Sequence, residues 1–188
     1  MLKVRIDHKR RGAAGVITDA LYRILPTNRQ VVFLCIGTDR SSGDSLGPMV
    51  GTFLRQTGMS NLRGTLHEPV HAENLHRSIA EVKRSYKNPF IVAIDAQLST
   101  SENVGKITVA EGPLEPGGGV GRDLGAVGDA YIAGCVNVGG FMQHFVLMST
   151  RLSLVWSMAE VIAAGIADYY ERQAALRTTA RMVASAKG

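Results

Sequence analysis

The apolar positions along the chain change period several times, and each change predicts an element. Over 12–25, "GAAGVITDALYRIL", apolar residues fall at 16, 17, 20, 21, 24 and 25, one helical face that Pro26 ends. "QVVFLCIG" (30–37) is a short unbroken apolar run rich in β-branched residues, the mark of a strand buried on both faces. "LGPMVGTFLRQTG" (46–58) returns to helical spacing, with Pro48 in the first turn and Gly58 at the C-terminal end. "RGTLHEPV" (63–70) reads as a short strand. "HAENLHRSIAEVKRSYK" (71–87) reads as a helix, with apolar residues at 72, 75, 79 and 82. "NPFIVAIDA" (88–96), "GKITVAEG" (105–112) and "AYIAGCVNVGG" (130–140) are strands, and a Gly-rich loop occupies 113–129. The stretch 142–172 is helical, with a break near Thr150.

Strands alternating with helices predict an α/β layered fold with a mostly parallel sheet. The link between "IVAIDA" and "GKITVAEG" is too short for a crossover helix, so one strand is expected to be antiparallel and the sheet mixed. No repeat, linker or second domain interrupts the pattern. The expectation is one domain over 1–188, with its core over about 12–172 and basic termini outside it.

Charge narrows this picture a little. The chain has 188 residues, 45% hydrophobic and 20% charged, as in ordinary soluble globular proteins. Twenty-one basic residues face sixteen acidic ones, and much of the excess sits in "MLKVRIDHKRR" and "ERQAALRTTARMVASAKG". No binding motif accompanies these ends, so they are read as solvated tails and nucleic acid is not expected as a partner. Cys35 and Cys135 each lie in an apolar, strand-like run, which suits buried free thiols in a reducing compartment. The N-terminus lacks the apolar core of a secretory signal, and no apolar run reaches the roughly 18 residues of a membrane span. A soluble, cytoplasmic protein is expected, with no membrane partner.

Candidate chemistry gathers at strand ends. In an open α/β sheet, ligands bind outside the carboxyl ends of the strands, near a switch in strand order. "GTDRSSGDSLGP" follows the first buried strand and supplies Gly37, Asp39, Arg40 and Asp44. Asp95 directly follows "IVAI", while Glu68 and His71 end the segment between them. Two carboxylates in one partly buried cleft do not both ionise cheaply, so one keeps a proton and the other acts as a base toward water. The alternative is structural: Asp44 caps the helix that follows, and Asp95 orders the turn after its strand. Spacing alone leaves both readings open.

Other motifs carry less. The glycines at 37, 43 and 47 do not form G-x-G-x-x-G, and no Lys-Ser/Thr follows them, so neither a dinucleotide site nor a P-loop is indicated. His67, His71 and His76 invite a metal reading, but Pro69 breaks the helical spacing of the first two, and no metal or other cofactor is assigned. Arg40 either pairs with Asp39 or neutralises a substrate carboxylate. Cys35 and Cys135 lack a neighbouring base and are not taken as nucleophiles. "PGGGVG" (116–121) is read either as backbone that closely approaches an extended peptide or as a mobile surface loop, and Asn137 is expected to point toward the same end of the sheet. Trp156 lies in a helical apolar pattern and is expected in the core.

"DSLGP" (44–48), "NPFIVAIDA" (88–96) and "GKITVAEGPLEPGGGVG" (105–121), in this order, resemble the spore germination protease family. More closely, the chain resembles the YyaC-type sporulation protein family, a smaller relative, over about 31–167. The wider group includes the hydrogenase maturation endopeptidases. The resemblance implies a three-layer α/β/α sandwich of the phosphorylase/hydrolase-like type. It also implies an endopeptidase-like hydrolase whose catalytic pair falls on Asp44 and Asp95, with Gly37, Asp39, Arg40, Glu68, His71 and Asn137 around the substrate. Maturation endopeptidases add a histidine that recognises bound nickel. Here the only histidine after Asp95 is His144, so no such ligand is assigned. The implied partner is a protein or peptide substrate, with small acid-soluble spore proteins as the candidate, in the cytoplasm of a forespore or mother cell. The chain is much shorter than the germination protease, and that protease's pro-segment is not identified in it. A non-catalytic sporulation protein that keeps the fold, a metal-dependent peptidase and a homo-oligomeric state stand as alternatives to be weighed.

Overall fold

The structure, a computed structural model, describes residues 1–116 and 125–185. Six strands form one mixed sheet in the order β1-β5-β6-β4-β2-β3. They are β1 (Lys3–Asp7), β2 (Val31–Cys35), β3 (Leu62–Arg63), β4 (Phe90–Ser99), β5 (Lys106–Glu111) and β6 (Ala130–Val138). β3, β2, β4 and β6 run parallel, whereas β5 is antiparallel to both β6 and β1. The expected reversal at "GKITVAEG" is therefore present, and only a single-turn 3-10 segment (Ser101–Asn103) separates β4 from β5.

The side-chain alternation of β2 fills two cores at once. Val31, Phe33 and Cys35 join the larger one, beneath α1 (Ala13–Ile24), α2 (Leu46–Gln56) and α5 (Leu152–Ser185). Val32 and Leu34 join the smaller one, with Leu75 and Val82 of α3 (Leu75–Ser85) on the opposite face. β4 repeats the division, with Val92 and Ile94 on one side and Ile91 and Ala93 on the other. The result is an α/β/α sandwich with α1, α2 and α5 on one face and α3 on the other. Burying both faces of a strand explains why its sequence is uniformly apolar.

Several elements differ from the sequence pattern. The N-terminal "KVRID" is not a tail but the edge strand β1, with Ile6 buried opposite Ile107 of β5 and alternate charged residues outside. The strand expected over 63–70 shrinks to Leu62–Arg63. Thr65 and Glu68 close a turn, with Thr65 N–H on the Glu68 carbonyl (3.0 Å) and Glu68 N–H on Thr65 Oγ1 (3.1 Å). Pairing resumes only as a single bridge from Val70 to Ile36. The helix expected from 71 starts at Leu75, because Asn74 ties back the preceding turn: its Oδ1 accepts His71 N–H (2.8 Å) and its Nδ2 donates to the Pro69 carbonyl (3.0 Å).

The long C-terminal helix breaks where expected, between α4 (Gln143–Met148) and α5, but α5 runs on to Ser185. By length and composition, Leu152–Leu176 is apolar enough to cross a membrane. Here Val155, Met158, Ile162, Ile166 and Tyr169 fill the larger core, which is the role of a core helix. Trp156 falls off that inward stripe. It stays 45% exposed and meets Phe53 edge-on at 5.0 Å, so its expected core position is corrected.

Candidate active site

The sheet order places a switch point between β2 and β4. The chain leaves β2 toward β3 on one side and returns through α3 to β4 on the other. The register of this parallel pair, Cys35 opposite Ile94, sets Asp95 beside the exit of β2, where Ile36 N–H donates to the Ile94 carbonyl at 2.7 Å. By strand alternation Asp95 shares the face of Ile91 and Ala93, the α3 side.

The β2–α2 loop turns back on itself to bring Asp44 to the same place. Gly37 N–H donates to the Val70 carbonyl (2.8 Å), and Thr38 N–H donates to the Asp44 carbonyl (3.0 Å). A 3-10 turn (Gly43–Ser45) then feeds α2. Helix α2 starts so close to β2 that a Cβ on Gly47 would overlap the Ile36 carbonyl oxygen. No side-chain hydrogen bond caps either the turn or α2, so Asp44 is not the helix cap that spacing also allowed.

Asp44 and Asp95 line one cavity of about 630 Å³. Ile36, Pro69, Ala72, Pro116, Leu147 and Met148 give it apolar walls, while Gly37, Asp39, Arg40 and His71 lie around the carboxylates. Asp95 is buried and its Oδ1 accepts Ala96 N–H at 2.8 Å. Burial pushes its carboxyl well above the usual aspartate range, the neighbouring Asp44 charge pushes it further, and the Ala96 N–H partly offsets both. Burial also raises Asp44, which is half-buried, while His144 and then His71 pull it back down. The two aspartates thus face one space from unequal environments. The deeper Asp95 has no cation among the causes acting on it, and the more open Asp44 has two histidines.

The structure separates the other expected residues. Asp39 and Arg40 stand exposed at the mouth, and among the described residues they form no ion pair with each other or with any other group. His71 lies in the wall, its Nδ1 accepting Glu73 N–H at 3.3 Å. Glu68 is exposed in the turn after β3 and does not line the cavity. Asn137 does not line it either. Its amide donates to Thr150 Oγ1 (3.0 Å) and to the Val146 carbonyl (3.3 Å), tying β6 to α4. Of "PGGGVG", Pro116 reaches the cavity wall, and the rest lies outside the described residues.

One wall was not foreseen. Helix α4 brings His144, Leu147 and Met148 to the cavity, held by the Ser42 hydroxyl donating to the Thr150 carbonyl at 2.6 Å. The lone histidine after Asp95 was visible in sequence, but nothing in its spacing showed that the helix breaks and folds over the β2–α2 loop. Among the described residues, no three His, Cys, Asp or Glu side chains gather closely enough to hold a metal ion.

Comparison with known proteins agrees with this architecture. The crystal structure of the [NiFe] hydrogenase maturation protease HycI from Thermococcus kodakarensis KOD1 is similar in fold, with a TM-score of 0.51 over 83% of this chain and 99% of that chain. Sequence identity there is 17%, so the likeness is one of fold. "Uncharacterized protein YyaC" of Bacillus subtilis (strain 168) is 46% identical over 169 residues, covering 88% of this chain and 82% of that protein. With a family model matching residues 5–165 as well, the chain belongs to the family described as "Protein of unknown function (DUF1256)".

Proposed function

We propose that the chain is an endopeptidase-like hydrolase that uses Asp44 and Asp95 to activate water. The observation that carries this reading is the placement of two carboxyls with raised proton affinity in one cavity at the switch point. The similarity in fold to a hydrogenase maturation protease supports it.

In this mechanism Asp95, the more strongly shifted group, holds the proton, and Asp44 is the base. Asp44 takes a proton from water as the water oxygen attacks the peptide carbonyl carbon. Asp95 gives its proton to the carbonyl oxygen, forming a neutral tetrahedral diol. Collapse breaks the C–N bond, the proton on Asp44 passes to the leaving nitrogen, and a hydroxyl proton returns to Asp95. Water is consumed and both carboxyls end as they began. Gly37, Asp39, Arg40 and His71 shape the space around the peptide, and Asn137 holds α4 to β6 from outside the cavity.

The resemblance of "DSLGP", "NPFIVAIDA" and "GKITVAEGPLEPGGGVG" to the germination protease and YyaC-type sporulation families extends the proposal to a sporulation role in the cytoplasm of a forespore or mother cell, with small acid-soluble spore proteins as substrate. The test is incubation of the purified chain with those proteins and with β-casein, read by intact mass, beside Asp44→Asn and Asp95→Asn. Discrete fragments from the wild type and none from the folded variants are expected. Equal cleavage by either variant removes the dyad from the mechanism.

A second reading, a binding protein without turnover, draws on α4. Phe141 (91%), Met142 (54%) and Phe145 (60%) are exposed beside the cavity, an apolar surface suited to a polypeptide partner. Retention of a partner by wild type and both Asn variants alike, with no fragment formed, favours that reading.

A further inference from the structure

The β2–α2 loop carries four hydroxyls close together in sequence, and three of them have a hydrogen-bond partner. Thr38 Oγ1 accepts Arg40 N–H at 3.3 Å. The Ser42 hydroxyl donates to the Thr150 carbonyl at 2.6 Å, anchoring α4. The Ser45 hydroxyl donates to the Ser42 carbonyl at 2.7 Å, closing the 3-10 turn. Ser41 differs. Its residue is 7% exposed, its Oγ has no hydrogen-bond partner among the described residues, and it lines the cavity of Asp44 and Asp95. Its own carbonyl accepts Asp44 N–H at 3.1 Å, so its backbone is fixed to that of the aspartate. Among the described residues, Tyr22 holds the other buried hydroxyl without a partner, and it does not line this cavity.

Folding normally pairs a buried hydroxyl, and an unpaired one calls for a specific explanation. A loop that satisfies Ser42 and Ser45 with backbone carbonyls has no shortage of acceptors. We propose that Ser41 is a substrate-binding residue whose hydroxyl donates a hydrogen bond to a peptide carbonyl oxygen held between Asp44 and Asp95. Presenting Oγ–H to the cavity requires a rotation about χ1, a move between staggered rotamers. The donated bond strengthens as the carbonyl oxygen gains negative charge under attack by water, so the hydroxyl acts most in the transition state. This inference rests on the hydrolase reading for its catalytic effect, but the contact itself requires only that a polypeptide enters the cavity.

The experiment compares wild type, Ser41→Ala and Ser41→Thr with whichever of β-casein or the spore proteins is cleaved. Ser41→Ala is expected to lower kcat about 100-fold, within the range for loss of one oxyanion donor. KM should rise only about three- to tenfold, far less than kcat falls, the pH profile should change little, and Ser41→Thr should recover much of the loss. The urea midpoint of Ser41→Ala should match or exceed that of wild type, because no internal hydrogen bond is lost. Wild-type kinetics in Ser41→Ala, or a loss that simply tracks a lower midpoint, overturns the proposal. If wild type cleaves neither polypeptide, the hydrolase reading falls, and the contact is judged by anisotropy of fluorescein-labelled β-casein. Binding weakened roughly three- to tenfold by Ser41→Ala sustains the contact. Equal binding, or none by wild type, overturns it.

Discussion

The carbonyl oxygen of Asp44 fills the space in which a Cβ on Gly37 would lie. The same oxygen accepts Thr38 N–H, and Gly37 holds φ at +139°, which L side chains rarely adopt. The loop that delivers Asp44 therefore closes only around a glycine. Gly37→Ala is expected to cost about 2–4 kcal/mol from backbone strain and overlap combined, measured by urea unfolding. Gly12→Ala is the control. It also has positive φ (+82°) but meets nothing within 4 Å, so about 1 kcal/mol is expected there. Equal costs at the two positions would show that close approach at Gly37 contributes nothing.

Asp95→Asn is expected to raise the melting temperature at pH 7. The folded-state proton affinity of Asp95 is raised by burial and then by Asp44. Between the ordinary aspartate value and the raised one, the folded state binds more protons than the unfolded state. Stability then falls as pH rises through that window, and above it the charged carboxylate is a standing cost. The gain from Asn should thus grow as pH rises through that window and shrink toward pH 4. Melting curves across pH 4–8 check it, and a gain that grows on acidification contradicts the assignment.

Asn137→Ala should loosen α4 rather than the sheet. The change removes the bonds to Thr150 Oγ1 and the Val146 carbonyl, for a cost of about 1–2 kcal/mol. Hydrogen exchange read by mass spectrometry should show faster exchange over 143–150, with β4 and β6 still protected. Unchanged exchange over α4 would mean that Ser42 and Leu147 suffice to hold it.

Neither cysteine should react in the folded chain. Burial pushes the Cys35 thiol up to about 12, with Arg55 opposing, and burial also raises Cys135. Both are buried and free. An aromatic disulfide reagent at pH 8 should label neither thiol in buffer and both in urea. Fast labelling of one thiol under native conditions would point to local opening at its strand.

The pattern of apolar residues made β2, β4, β5, β6, α1 and α2 legible, because a buried strand or an amphipathic helix writes its period into the chain. The same signal was present for β1, whose K-V-R-I-D alternates strictly, yet its charges resemble those of a solvated tail. Only pairing with β5 distinguishes an edge strand from such a tail. The short β3 failed for the opposite reason: Thr65 and Glu68 bond to each other, a side-chain and backbone choice that β propensity does not register. Of the candidate residues, Gly37, Asp39, Arg40, Asp44, His71 and Asp95 meet at one cavity, while Glu68 and Asn137 stand outside it.

What the sequence determined by itself was local: where strands and helices lie, and that acidic residues follow two buried strands. Tertiary structure alone decided that β2 and β4 are neighbours, that Cys35 stands opposite Ile94, and that α4 folds across the loop to bring His144 to Asp44. Strand order and register depend on hydrogen bonds and packing between residues far apart in the chain. A period of two or 3.6 residues describes which face is buried, but not against what.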